Sequence, residues 1–351
     1  MTHGATSEPA SSPSLAKSPP PDAPSPAAGR GPRARLPLGS LTDVHSLSLV
    51  GVLAVLSLIG AITAPDQFLS VDNVQLILTQ ASVIGVVTVG MTFVIIGGGI
   101  DLSVGAIVAL ASVWCTTVAT QEYGMGGMIF CALAVGLGCG LVNGVLIAYG
   151  PMVPFVATLA MLASARGLAL QITEGRTQIV TVDSVLDLGG RDAYVLGVPP
   201  LVIIFAGVTA IGWVLLNRTT FGRRTVAIGG NPEAARLAGI AVKRQRLMIY
   251  GLSGLCCGVA AFMLVVLSGS GQNTNGNLYE LNAIAAAIIG GTLLSGGRGT
   301  ILGAVLGVLV FQTITNLFTL NNLESAVQQI AQGAIIVAAV LLQRRTAAQQ
   351  P

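Results

Sequence analysis

Charge is scarce in this sequence. Only 9% of its 351 residues are charged and 53% are hydrophobic, whereas an ordinary soluble domain carries roughly 25% charged residues. That excludes a soluble globular fold. Histidine is limited to His3 and His45, both ahead of the apolar part of the chain. Neither an HExxH zinc site nor an intramembrane Ser/His dyad can therefore be assembled, and the chain is not an obvious enzyme. Lysine is limited to Lys17 and Lys243, and neither follows the Gly-rich loop of a GxxxxGK[ST] phosphate cradle. Any dependence on ATP must then come from another chain. The cysteines Cys115, Cys131, Cys139, Cys256 and Cys257 all fall in apolar stretches without metal-ligand spacing. They read as small buried hydrophobes, and no metal site is expected. Ionisable residues are sparse inside the apolar stretches, where only Asp101 and Arg166 appear. That argues against ion-driven transport, which embeds several such groups as relays.

What remains is apolar sequence in membrane-sized lengths. About 20 apolar residues cross a hydrocarbon core of about 30 Å, and such stretches recur from residue 46 to 342. The expected fold is all-α and polytopic, with about ten transmembrane helices. The spans are read at 46–64, 79–98, 102–120, 126–148 and 153–171, then at 198–216, 247–267, 279–295, 300–318 and 323–342. Short breaks at 99–101 and 296–299 interrupt the helices. Residues 1–45 form a Pro- and Ser-rich tail that cannot bury enough apolar surface to order itself, residues 46–345 form the transmembrane domain, and 346–351 form a short C-terminal tail. No early apolar segment suggests a cleaved signal, so the first span is expected to act as the insertion signal.

An even number of spans puts both termini on one side, and the basic residues choose the cytoplasm. With that orientation 14 of the 17 Lys and Arg lie inside, in the tail, in the loop 217–246, at Arg298 and at Arg344 and Arg345. Only Arg176 and Arg191 lie outside, along with nine of the 14 acids, Glu280 among them. This is the positive-inside pattern.

Glycine is abundant, at 45 residues. Ala132, Gly136, Gly140 and Gly144 recur every four residues, and Gly303 and Gly307 repeat the spacing, which lets helices approach closely within one subunit or, alternatively, at a dimer seam. "VIIGGG" at 94–99 resembles "AIIGGT" at 287–292. In "GGGIDLSVG", Gly97, Gly98 and Gly99 break a helix, and Asp101 or Ser103 is placed to cap the next one, where free N–H groups and the helix dipole favour an anion. Broken helices are also where transporters build substrate paths, so Asp101 reads both as a cap and as a wall of such a path. Asn143 and Thr158 read either as path-lining groups or as hydrogen-bonding links between helices.

The longest polar stretch between spans contains "NPEAARLAG", a short helix with its punctuation. Asn231 suits the N-cap, Pro232 the first turn, Glu233 the positive helix end and Gly239 the position after the last turn, with Ala234 and Arg236 between them. A helix this short is marginal in water. It reads either as a surface turn or as a docking helix.

Several motifs carry a family resemblance: "GMTFVIIGGGIDLSVGAIVALAS", "FVATLAMLASARGL", "GRRTVAIGGNPEAARLAGIAVKRQR" and "AAAIIGGTLLSGGRGTILGAVLG". In this order they resemble the permease subunit of bacterial ABC importers of the ribose and monosaccharide branch, over residues 46–345. The resemblance implies an inner-membrane homodimer that carries a small neutral solute, such as a monosaccharide. A cytoplasmic ABC ATPase binds the ATP, a periplasmic sugar-binding protein delivers the solute, and this chain holds no cofactor. Nucleic acid has no place in it. Asn231, Pro232, Glu233, Ala234, Arg236 and Gly239 become ATPase-coupling candidates. The outer loops 172–197 and 268–278 become docking surfaces for the binding protein, with Arg176 and Arg191 as their cations. The alternative is a secondary transporter or facilitator for a small polar solute. The long N-terminal tail departs from the compact family pattern.

Overall fold

The computed structural model describes residues 38–190, 193–195 and 197–348. Helices run in the order α1 (Leu38–Thr63), α2 (Pro65–Phe68), α3 (Val71–Ile96), α4 (Val104–Cys115), α5 (Val118–Gln121), α6 (Gly124–Ala148) and α7 (Pro154–Thr173). Then come β1 (Gln178–Ile179), α8 (Asp183–Gly189), α9 (Pro200–Arg218), α10 (Thr220–Gly230), α11 (Pro232–Leu237) and α12 (Val242–Ser268). The chain closes with β2 (Ser270–Gly271), α13 (Tyr279–Ile289), α14 (Ile301–Leu320) and α15 (Ser325–Ala348). Residues 1–37 of the expected tail lie outside the described residues. Residues 38–45, read as tail, are the start of α1, and 346–348 extend α15.

Among the described residues, seven helices are long and apolar enough to cross a membrane: α1, α3, α6, α7, α9, α12 and α14. The other three expected spans hold shorter apolar helices, α4, α13 and the Ser325–Ala338 part of α15. α4, with 12 residues, rises about 18 Å and cannot cross about 30 Å of hydrocarbon alone. The breaks are wider than the sequence suggests, because α3 ends at Ile96 before α4 starts at Val104, and α13 ends at Ile289 before α14 starts at Ile301.

α3 and α12 form the centre, with 89% and 78% of their apolar windows buried, whereas only 11% of that of α1 is buried. The peripheral helices turn Leu58, Ile62, Leu168, Ile203 and Ile211 outward, a surface suited to lipid. The glycine stripe of α6 lies against α12. A Cβ on Gly254 would sit 2.7 Å from the Cα of Gly140, and one on Gly140 would sit 2.9 Å from the Cα of Gly254. The stripe therefore serves packing within the subunit. Substituting Gly140 by leucine is expected to force these two helices apart at a cost of about 3 kcal/mol or more, read as a lower unfolding temperature of the purified protein.

The two look-alike segments end their helices in the same way. Gly98 donates to the carbonyl of Ile95 and Gly99 to that of Val94, each at 2.9 Å. Gly291 and Thr292 repeat this on Ile288 and Ala287 at 2.9 Å. Gly98 (φ +78) and Gly291 (φ +86) take the left-handed conformation that this helix ending requires.

The ends of the bundle can be told apart by their contacts. At one end β1 pairs with β2 antiparallel, Gln121 donates to the carbonyl of Ile179 and Asn321 donates to Thr63. At the other, α10 meets the turns that follow α3 and α13.

Candidate translocation and coupling sites

The break after α3 leads inward. Asp101 is fully buried, and its carboxylate accepts from the backbone N–H of Ser103 at 3.0 Å, from the Ser103 hydroxyl at 2.5 Å and from the Ser253 hydroxyl at 3.1 Å. Asn143 donates from Nδ2 to the Ser103 hydroxyl at 2.8 Å. Asp101 thus secures the start of α4 and ties it to α12, while α6 joins through Asn143. The Ser103 side chain makes no capping bond of its own, so the capping role falls to Asp101. The hydroxyl of Thr158 donates back along its own helix to Pro154 at 2.9 Å. Asp101, Ser103, Asn143 and Thr158 are all at 0% exposure; the first three join α4, α6 and α12, whereas Thr158 bonds only within α7. Gly97, Gly98 and Gly99 border a small cavity with Arg246 and Tyr250, and the Tyr250 hydroxyl donates to the carbonyl of Ile100 at 3.3 Å.

The segment between α9 and α12 holds two helices where the sequence suggested one. α11 forms as punctuated: Asn231 Oδ1 accepts from the N–H groups of Glu233 and Ala234 at 3.0 Å each, and Gly239 has φ +82. Ala235 is buried beneath it, whereas Leu237 is 85% exposed. Pro232, Glu233, Ala234 and Arg236 are exposed too. The Arg236–Glu233 ion pair at 2.9 Å lies in solvent and adds about 0.5 kcal/mol at most. α10, before it, was not foreseen. Its signal is there in the sequence: Thr219 caps it by accepting from Gly222, and Phe221, Thr225 and Ile228 recur on one face while Arg223 and Arg224 point outward. That face is anchored by Gln245, which donates to the carbonyl of Phe221 at 2.9 Å and to the Thr225 hydroxyl at 2.8 Å. The rings of Phe221 and Phe93 stand 5.8 Å apart.

At its far end α10 meets both helix breaks through backbone alone. Gly297 donates to the carbonyl of Ile96 at 2.8 Å. A Cβ on Gly229 would overlap that carbonyl and lie 2.6 Å from Gly297 N. A Cβ on Gly296 would lie 2.9 Å from the Cα of Gly98. α10 is thus in backbone contact with the turns after α3 and α13.

Helices broken at mid-bundle, with polar groups gathered at the break, recur in transport proteins. The family model described as branched-chain amino acid transport system / permease component matches residues 73–340. The chain belongs to this permease family. It is 43% identical over 298 residues to the ribose import permease protein of Bacillus subtilis, covering 84% of this chain and 92% of that one. Identity is 36% over 300 residues to the ribose import permease protein of Escherichia coli K12, covering 85% and 93%. It is also 36% over 319 residues to the L-arabinose ABC transporter permease protein of Azospirillum brasilense, covering 91% and 93%. No solved structure matches the chain significantly. Family and apolar helices together make this a multi-pass inner-membrane protein.

The permease departs from the sequence reading on the far side of α4. The segment read as the outer loop 268–278 leaves β2 and turns back into the bundle along α4. Asn275 donates to the Ser112 hydroxyl at 3.1 Å, and Gly276 packs on Gly105 and Val108. Only Thr274 and Asn277 of residues 270–278 are exposed. Glu280, placed outside by the sequence, consequently stands beside Gly105 near the start of α4, and its Oε2 is buried without a partner among the described residues. The cause is the left-handed backbone at Gly276 and Leu278 (φ +66 and +63), which redirects the chain before α13. Arg166 holds the segment by donating from Nη1 to the carbonyls of Asn273 and Asn275, the kind of carbonyl partner its embedded position demanded. Arg176 is exposed on the turn after α7, and Arg191 lies outside the described residues.

Proposed function

We propose that this chain is the membrane subunit of an ATP-driven importer for a small neutral sugar of the pentose class. The observation that carries the reading is the exposed helix α11, with Leu237 bare, wired through α10 and Gly229 to both helix breaks. A permease that opened by thermal motion or an ion gradient alone would need no such external handle. Relatives named for ribose and L-arabinose supply the solute class.

In this reading the chain has ten spans, with α4 and α13 as half-length members, and both termini lie in the cytoplasm. ATP binds on a separate ATPase that grips Pro232, Glu233, Ala234 and Arg236, and this chain needs no cofactor. A periplasmic binding protein docks at the β1–β2 end near Arg176, and two copies of the chain enclose the path. Closure of the ATPase moves α10–α11, and the breaks carry that motion inward as one of two alternating states.

Vesicles containing this chain, its ATPase and its binding protein are expected to take up D-ribose or L-arabinose only with ATP. Uptake that runs on an ion gradient with this chain alone would overturn the reading. In the same vesicles Arg236→Glu is expected to weaken ATPase association, and Arg176→Glu to weaken binding-protein association, each by about tenfold.

A further inference from the structure

We propose that the solute crosses this permease along the unwound segment 272–278 and the first turn of α13, where they pass α4 and α7, with Arg166, Asn273, Thr274, Asn277 and Glu280 as the polar wall. The proposal rests on the importer reading for its solute but not for its location.

Depth is the first argument. Asp101, just before α4, is bonded to Ser253, which lies near the middle of the 27-residue helix α12. The start of α4 is therefore at mid-bundle, and Gly276 and Glu280 both pack against Gly105 there. Irregular backbone at such depth survives only against protein or a wet cavity, because hydrocarbon leaves its N–H and C=O groups unpaired. Thr274 and Asn277 are nevertheless exposed, so the outward side of this segment must face water or protein and not lipid.

Around this segment several side chains keep unused hydrogen-bonding capacity. Arg166 uses Nη1 on two carbonyls, and its other nitrogens make no hydrogen bond among the described residues. Glu280 leaves Oε2 unpaired in the interior. The side chains of Asn273 and Asn277 make none among the described residues either. By contrast, the Asp101 carboxylate is occupied by three donors. A fork of donors on α7, with a carboxylate and two amides on the segment it holds, supplies the group types that meet the vicinal hydroxyls of a polyol, each of which both donates and accepts. Arg166 and Glu280 are of opposite sign, so the wall as a whole favours a neutral solute.

The test uses Asn277→Cys and Thr274→Cys in the full chain, in membrane vesicles of cells that make it. The unsubstituted chain with its five native cysteines serves as background, and Leu168→Cys, on the apolar outward face of α7, as the lipid-facing reference. A charged, membrane-impermeant methanethiosulfonate is expected to modify the Asn277 or Thr274 variant at least about tenfold faster than the Leu168 variant. Modification is then expected to block uptake of D-ribose or L-arabinose. Rates no faster than the Leu168 reference at both positions would overturn the proposal, and so would full uptake after complete modification. Labelling needs no ATP, binding protein or sugar, so wet positions in a protein that fails ATP-driven uptake would refute the importer reading and leave the path standing.

Discussion

Replacing Asp101 by alanine is expected to remove most of the folded protein from the membrane. The carboxylate is wholly buried and is the common acceptor for the Ser103 N–H, the Ser103 hydroxyl and the Ser253 hydroxyl. Alanine leaves those donors unpaired, in an interior with no water to replace the lost acceptor, at a cost of about 3–5 kcal/mol. That is a large part of the 5–15 kcal/mol by which proteins are usually stable. Asparagine keeps the acceptor toward Ser103 and can donate to Ser253 after its hydroxyl rotates, so Asp101→Asn is expected to accumulate near the wild-type level. Quantifying detergent-soluble, monodisperse protein for the two variants checks this. Equal loss for both would mean that the charge, rather than the hydrogen bonds, holds the break together.

The second large effect is expected at Gly229, and it should separate stability from coupling. A Cβ there would overlap the carbonyl of Ile96 and crowd Gly297 N, both backbone atoms that cannot rotate aside. Gly229→Val therefore pushes α10 away from the ends of α3 and α13 at a cost of about 1–3 kcal/mol, while the α6–α12 packing and the Asp101 knot stay untouched. The protein is expected to fold and to bind its ATPase through α11. Uptake should fall by about tenfold or more while ATP hydrolysis continues. Normal uptake alongside a shifted α10 would show that the glycine contact does not transmit the stroke. Gly230→Ala is the control, since a Cβ at Gly230 meets nothing within 4 Å.

The sequence was most legible where local chemistry acts within a few residues. α11 could be read from Asn231, Pro232 and Gly239 because a cap needs only its own turn. The break after α3 could be read because a left-handed glycine, here Gly98, ends a helix whatever surrounds it, whereas the end of α13 before Gly291 was missed and its span was read on to residue 295. Arg166 had to find a carbonyl or an acid, because a guanidinium at that depth must have partners, and the fold gives it two carbonyls. α10 was missed because its apolar face has only Phe221, Thr225 and Ile228, a short run hidden among arginines. Glu280 was read as exposed outside because a polar, glycine-containing run reads as a loop, and nothing local says that it turns back along α4.

By itself the sequence determined that this is a membrane protein, roughly where its apolar stretches lie, that glycine breaks the chain after α3, and that 232–237 can form a short capped helix. Only the tertiary structure decided which polar residues are locked into packing and which stay free. Asp101 is spent on Ser103 and Ser253, and Asn143 gives Nδ2 to Ser103 while its Oδ1 stays unpaired among the described residues, whereas Asn277 and Thr274 are exposed. The physical reason is that a helix in lipid can be apolar all round, so periodicity carries little information about which face meets a neighbour. The bond that settles the role of Asp101 joins residues 152 positions apart, and only packing of α4 against α12 brings them together.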